Sequence, residues 1–139
     1  MARTDYYTGT QKKQEIYSDF LTDLNPHPEA KDIVRFTNEN AVKKSIRNII
    51  LTNRFERPFQ PNLGSSINRL MFEPITASTA QTMTNMITEA ITNHEPRCNL
   101  ISVTVVPLED QHAMNVEIVF MVINIQNPVT LNITLYKVR

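Results

Sequence analysis

The side chains from which an active site could be drawn are few. They are the carboxylates Glu56, Glu73, Glu89, Glu95, Glu109, Asp110 and Glu117, the histidines His27, His94 and His112, and Cys98. Glycoside hydrolysis needs two carboxyls flanking one bond, one of them with a raised pKa. No two of these carboxylates have a spacing that would set them across a cleft, and Glu109-Asp110 fall in a turn where solvated acids are expected. His94 and Cys98 stand four apart, which on a helix would suit a metal or thiolate pair. Pro96 lies between them and removes that helix. His27 and His112 fall in loops, and no serine sits in a nucleophile-elbow pattern. A lone cysteine forms no internal disulfide and no cysteine-based metal cluster, so Cys98 reads as a small buried hydrophobe opening a strand. The residues predict no enzyme, no metal site and no cofactor.

Composition narrows the class further. The 139 residues suit one domain, able to bury roughly 70% of its unfolded surface. Fourteen basic residues balance fourteen acidic ones, which leaves no excess to neutralise a nucleic-acid backbone. Gly9 and Gly64 are the only glycines, too few for a phosphate-binding loop. No apolar run approaches the ~20 residues that cross a bilayer, and the opening MARTDYYTGTQKKQEIY lacks a signal-peptide core. The expectation is a soluble, reduced protein with neither membrane nor nucleic-acid partners. With charged residues at 20% and zero net charge, copies repel weakly, which leans toward an assembly component.

The elements that must position these residues follow from periodicity. Residues 1–36 form an arm: Ile16, Phe20, Leu21 and Leu24 are spaced for a helical turn or two, ended by Pro26 and Pro28. Residues 37–139 form one α+β domain. Thr37 and Asn38 offer cap oxygens to a helix with Glu39 in its first turn and Val42, Ile46, Ile49 and Ile50 as its stripe, ending near Leu51 or Thr52. Pro58 and Pro61 exclude helix from 53–64. Leu63, Ile67, Leu70, Met71 and Phe72 predict a two-turn helix stopped by Pro74. A longer helix starts at the Thr76/Ser78 caps, buries Met83, Met86, Ile87, Ala90 and Ile91, and stops near His94 or Glu95 before Pro96.

From Asn99 the period becomes two. Leu100–Val106 make a first strand bounded by Pro107. Met114, Val116, Ile118, Phe120 and Val122 face inward on a second, whose later half is covered on its other face too, through Val119, Met121 and Ile123. The last alternates Val129, Leu131, Ile133 and Leu135 inward with Thr130, Asn132, Thr134 and Tyr136 outward. Short loops at 107–112 and 124–128 make a three-stranded antiparallel meander on which the helices pack.

Two segments exceed what structural economy demands. One is Arg54-Phe55-Glu56-Arg57-Pro58-Phe59-Gln60-Pro61-Asn62-Leu63-Gly64, running on to Leu70-Met71-Phe72-Glu73; the other is Glu95-Pro96-Arg97 at the joint between long helix and first strand. With Tyr17-Ser18-Asp19 and Ile49-Ile50-Leu51-Thr52, they resemble the baseplate wedge and sheath-initiator family of contractile-tailed phages. That family is often labelled lysozyme-like and is shared with the type VI secretion baseplate. Order and spacing match over roughly residues 15–139. The family's glycine before the Arg-Pro stretch is missing: the positions are Arg54, Phe55 and Glu56, and Phe tolerates positive φ poorly.

The resemblance implies a structural virion protein of the tail baseplate, assembled in the host cytoplasm. It would join wedge proteins to the tail sheath and start the sheath by strand addition. Implied partners are other wedge proteins and the sheath protein, with tail tube or hub proteins as further candidates. The family's older label keeps a peptidoglycan hydrolase of lysozyme type as the alternative, and an ordinary dimeric binding module is a third reading.

Arg57 and Arg97 sit beside prolines, which lowers the cost of holding a guanidinium fork in place. Either could clamp the fold internally, capping the long helix or pairing with Glu95. The resemblance implies instead that Glu95, Pro96 and Arg97 dock onto neighbouring wedge proteins, in which case Arg97→Ala leaves melting nearly unchanged. Arg57 joins that partner-binding set, and Asn132, Thr134 and Tyr136 mark the strand offered to the sheath.

Overall fold

A computed structural model describes residues 15–20, 26, 31–125 and 127–137. The first described elements are two three-residue strands, β1 (Ser18–Phe20) and β2 (Arg35–Thr37), paired antiparallel with Asp19 opposite Phe36. This corrects the helical reading of the segment. Ile16 and Phe20 are both exposed, so their spacing marks no buried stripe, and the backbone groups find partners across β2 instead. Leu21, Leu24, His27 and Pro28 lie outside the described residues.

Asn38 turns the chain from β2 into α1 (Glu39–Leu51) at φ 50°. Its side chain does not cap α1. Its Oδ1 accepts from the backbone N–H groups of Ile16 (2.9 Å) and Tyr17 (3.4 Å), while its own N–H donates to the Tyr17 carbonyl at 2.7 Å. The residue expected as a cap therefore ties down the strand before it. Along α1 the predicted stripe is the buried one: Val42, Ile46, Ile49 and Ile50, with Ala41 beside them. Burying side chains of this size stabilises the fold by about 1.5–3 kcal/mol each.

The segment after α1 returns to it. Gly64 sits at φ 109°, and a Cβ there would come 2.4 Å from the Thr52 carbonyl oxygen, so only glycine fits. Ser65 then donates its N–H to that carbonyl and its hydroxyl to the Ile50 carbonyl. Phe55 does adopt positive φ, at 69°. Its N–H donates to the Pro61 carbonyl at 2.8 Å, which holds a conformation costing about 1–2 kcal/mol for a residue with a Cβ. The short helix α2 (Ile67–Leu70) has one turn, not two; Met71 is buried just beyond it and Phe72 is 66% exposed.

Thr76 caps α3 (Ala77–His94), accepting from the Thr79 N–H, and the helix ends where Pro96 requires. Three strands follow in the order β3 (Cys98–Leu108), β4 (Ala113–Val122), β5 (Pro128–Tyr136), all antiparallel. Pro107 lies inside β3 and not beyond it. One sheet face meets the helices: Met114, Val116, Ile118 and Phe120 are wholly buried against Val42, Ile46, Met83, Ile87 and Ile91 in one core. The other face of β4 is covered only in part, with Val119 and Met121 half-buried and Ile123 exposed. The fold is α+β, helices on a C-terminal antiparallel meander.

Candidate protein-docking interface

α3 delivers Glu95 to its own C-terminal end, where the N–H of Glu95 still donates to Ile91. Pro96 turns the chain, and Arg97 folds back on the residue two before it. Arg97 Nε donates to Glu95 Oε1 at 2.6 Å and Nη2 to Oε2 at 2.8 Å, a two-pronged pair around a carboxylate only 2% exposed. The guanidinium also lies over the Tyr17 ring, 5.7 Å from its centre. Arg97 then enters the sheet, its carbonyl accepting from Ile123 at 2.9 Å. The turn thus locks helix, sheet and the segment before β1 together.

Electrostatics follow the geometry. Burial alone would push the Glu95 carboxyl up, but the Arg97 fork, the Ser45 hydroxyl and the Arg97 charge together hold it below its ordinary value. Arg97 is raised by its bond to Glu95 against the opposing effect of burial. Cys98, half-buried, is pushed up to about 11 by burial first and the Glu95 charge second. It is a thiol at neutral pH, not a nucleophilic thiolate. Glu95 is the one buried carboxylate among the described residues, and it is held ionised. A glycosidase acid needs the opposite shift.

Of the two readings of Arg97, pairing with Glu95 is formed. Neither internal clamp exists for Arg57: it is exposed, and among the described residues its guanidinium makes no hydrogen bond and no ion pair. Arg57 lines a cavity with Ser45 and His94, so it shares a side of the molecule with the Glu-Pro-Arg turn. Sequence reasoning had no role for Ser45 or Asn38 in this cluster, because their contacts join segments far apart in the chain.

Asn132, Thr134 and Tyr136 lie elsewhere, exposed along β5 at the far edge of the sheet from β3. The Lys137 N–H donates to the His112 carbonyl at 2.8 Å, and β5 pairs with β4 without a register break. In an antiparallel ladder backbone groups alternate direction, so residues of the same parity as Lys137 face β4. Thr130, Asn132, Thr134 and Tyr136 consequently aim their N–H and C=O groups at the open edge.

Comparison with known proteins converges on one family. Residues 37–127 match the family of baseplate wedge protein gp25. The baseplate wedge protein gp25 of Enterobacteria phage T4 is 35% identical over 110 residues, covering 79% of this chain and 83% of that protein. A crystal structure from Geobacter sulfurreducens, provisionally named a tail lysozyme, superposes with TM-score 0.65 at 30% identity, covering 70% of this chain and 89% of its own. A chain of the anti-feeding prophage baseplate shares the fold at TM-score 0.60 and 20% identity, over 88% of this chain and 86% of that one.

Proposed function

This chain belongs to the baseplate wedge protein gp25 family, and on that premise we propose that it is a structural component of a contractile-tail baseplate that starts the sheath. Strand β5 takes a strand of the first sheath subunits, and the Glu-Pro-Arg turn faces the neighbouring wedge proteins. The observation that carries the sheath role is the outer edge of β5. Among the described residues it offers unpaired backbone groups at Thr130, Asn132, Thr134 and Tyr136, with no charged side chain among those four to repel a partner strand. Strand addition gains affinity from main-chain hydrogen bonds, and side-chain alternation sets its register.

Docking at the Glu-Pro-Arg turn is supported by rigidity. Arg97 is held by Glu95 and Tyr17 with about a third of its side chain still exposed, so it presents a pre-positioned cation at little entropic cost. Hydrolysis, suggested by the provisional name of the Geobacter protein, calls for a carboxyl pushed up by its surroundings, whereas Glu95, the buried carboxylate among the described residues, is held below its ordinary value. Asn132→Pro removes one outward donor and tests the sheath role directly. The expected outcome is a folded protein by circular dichroism whose baseplates fail to nucleate full-length sheaths. Folded mutant that still nucleates them would sink the proposal, and glycan cleavage by the purified wild type would revive the hydrolase.

A further inference from the structure

Beside the Glu-Pro-Arg turn lies a polar cavity of about 160 Å³, lined by Asp19, Ser45, Asn48, Arg57, Leu63 and His94 among others. A second opening of about 360 Å³, formed by Phe59, Pro61 and their neighbours, also borders Leu63 and His94, so the two adjoin as one groove. The charges around it are unevenly satisfied. Asp19, the carboxylate in the lining, has Lys44 at 3.9 Å, and Glu95, behind the Ser45 hydroxyl, is taken by Arg97. Arg57 is the lining guanidinium without a partner among the described residues. At the other end, Phe59 is 97% exposed on a loop stiffened by Pro58 and Pro61. One unmatched guanidinium next to a rigidly displayed apolar rim matches a short peptide better than a nucleic acid, which needs several cations in a row.

We infer that this groove seats an acidic residue of an extended segment from a neighbouring wedge protein. Its carboxylate meets the Arg57 fork, and the next apolar side chain packs on Phe59, Pro61 and Leu63. The inference rests on the baseplate reading above and adds a partner chemistry and a second docking point distinct from the Glu95–Arg97 pair. A cavity of this size takes one carboxylate side chain and excludes a folded element.

The test places a photo-crosslinking amino acid at Asn62 in assembled baseplates and maps the adduct by mass spectrometry, with and without Arg57→Gln. An adduct on a segment carrying Asp or Glu beside the linked residue, with yield falling at least about tenfold in Arg57→Gln, is the expected result. An adduct on a segment without an acid, an unchanged yield in Arg57→Gln, or no adduct at all overturns it. Arg57→Gln should melt with the wild type, because among the described residues the side chain holds nothing; a lower melting point also overturns the inference. Should the baseplate reading itself be wrong, wild-type chain would be missing from baseplates before any crosslink is attempted, so the two failures are distinct.

Discussion

The two outer strands of the sheet are finished differently. Along β3 the register shifts between Leu100 and Ser102, leaving Ile101 as a bulge, and Pro107 stands near the end of the strand. Arg97 pairs with Ile123, and by the parity of the ladder beyond the bulge Val103, Val105 and Pro107 face outward, where a missing N–H costs nothing. Ala77, Ala80 and Thr84 of α3 flank that same stretch. Along β5 the register is unbroken for nine residues, and Pro128 is confined to its first position. Bulge, proline and a flanking helix are devices that blunt an edge, and β3 has all three, while β5 keeps its run open among the described residues. A sheet with two open edges could add strands without end. One open edge makes association one-sided, as the proposed start of a sheath requires.

Three changes probe this contrast, the largest first. Arg97→Ala strikes the joint where β3 begins. Glu95 would be left buried and unpaired, so stability at neutral pH should fall by about 3–4 kcal/mol in urea unfolding, contrary to the neutral outcome expected if Arg97 served a partner alone. The sign with pH follows from the depressed Glu95 value. Its contribution is complete above the ordinary carboxyl value of 4.5 and is lost as pH falls through the lower value of the folded state. The gap between wild type and Arg97→Ala should therefore narrow in acid. A constant gap would mean that the pair is not what stabilises the joint.

Neighbouring prolines on β5 give the next largest effect. Ile133 faces β4 with its N–H and the core with its side chain, so Ile133→Pro should cost about 3 kcal/mol. Thr134 aims its N–H at the open edge, and Thr134→Pro should cost about 1 kcal/mol or less while abolishing sheath nucleation. Equal losses of stability would refute the assignment of the open edge. The smallest effect belongs to Pro107→Thr, which restores an outward donor on β3. Stability should change by about 0.5 kcal/mol or less, and sedimentation velocity should show no new association, because the bulge at Ile101 and the flank of α3 remain. A dimer in this variant would identify Pro107 as the residue that closes the edge.

Much of the architecture was legible in the residues themselves. The stripes of α1 and α3 and the alternation of β4 and β5 follow from which side chains water rejects, a property each residue carries wherever the chain goes. The stop at Pro96 is equally local, since proline disfavours helix in the residue before it, and so is the exclusion of helix from 53–64 by Pro58 and Pro61. The segment 15–20 was not legible as a strand. Three residues carry too little periodicity, and what decides them is pairing with residues 35–37 and the hold of Asn38.

The candidate sites divide along the same line. That Glu95 and Arg97 could pair across Pro96, and that the outward residues of the last strand are uncharged, are matters of spacing and residue type and stand in the sequence. Which carboxylate would be buried, which arginine would be taken and which left over depended on α1, α3 and the 53–64 loop meeting at one corner. There Ser45 and Arg97 claim Glu95, and Arg57 lines a cavity with His94, without a partner among the described residues. A charge's partner is set by distance through space, and distance between segments is settled only when the core closes.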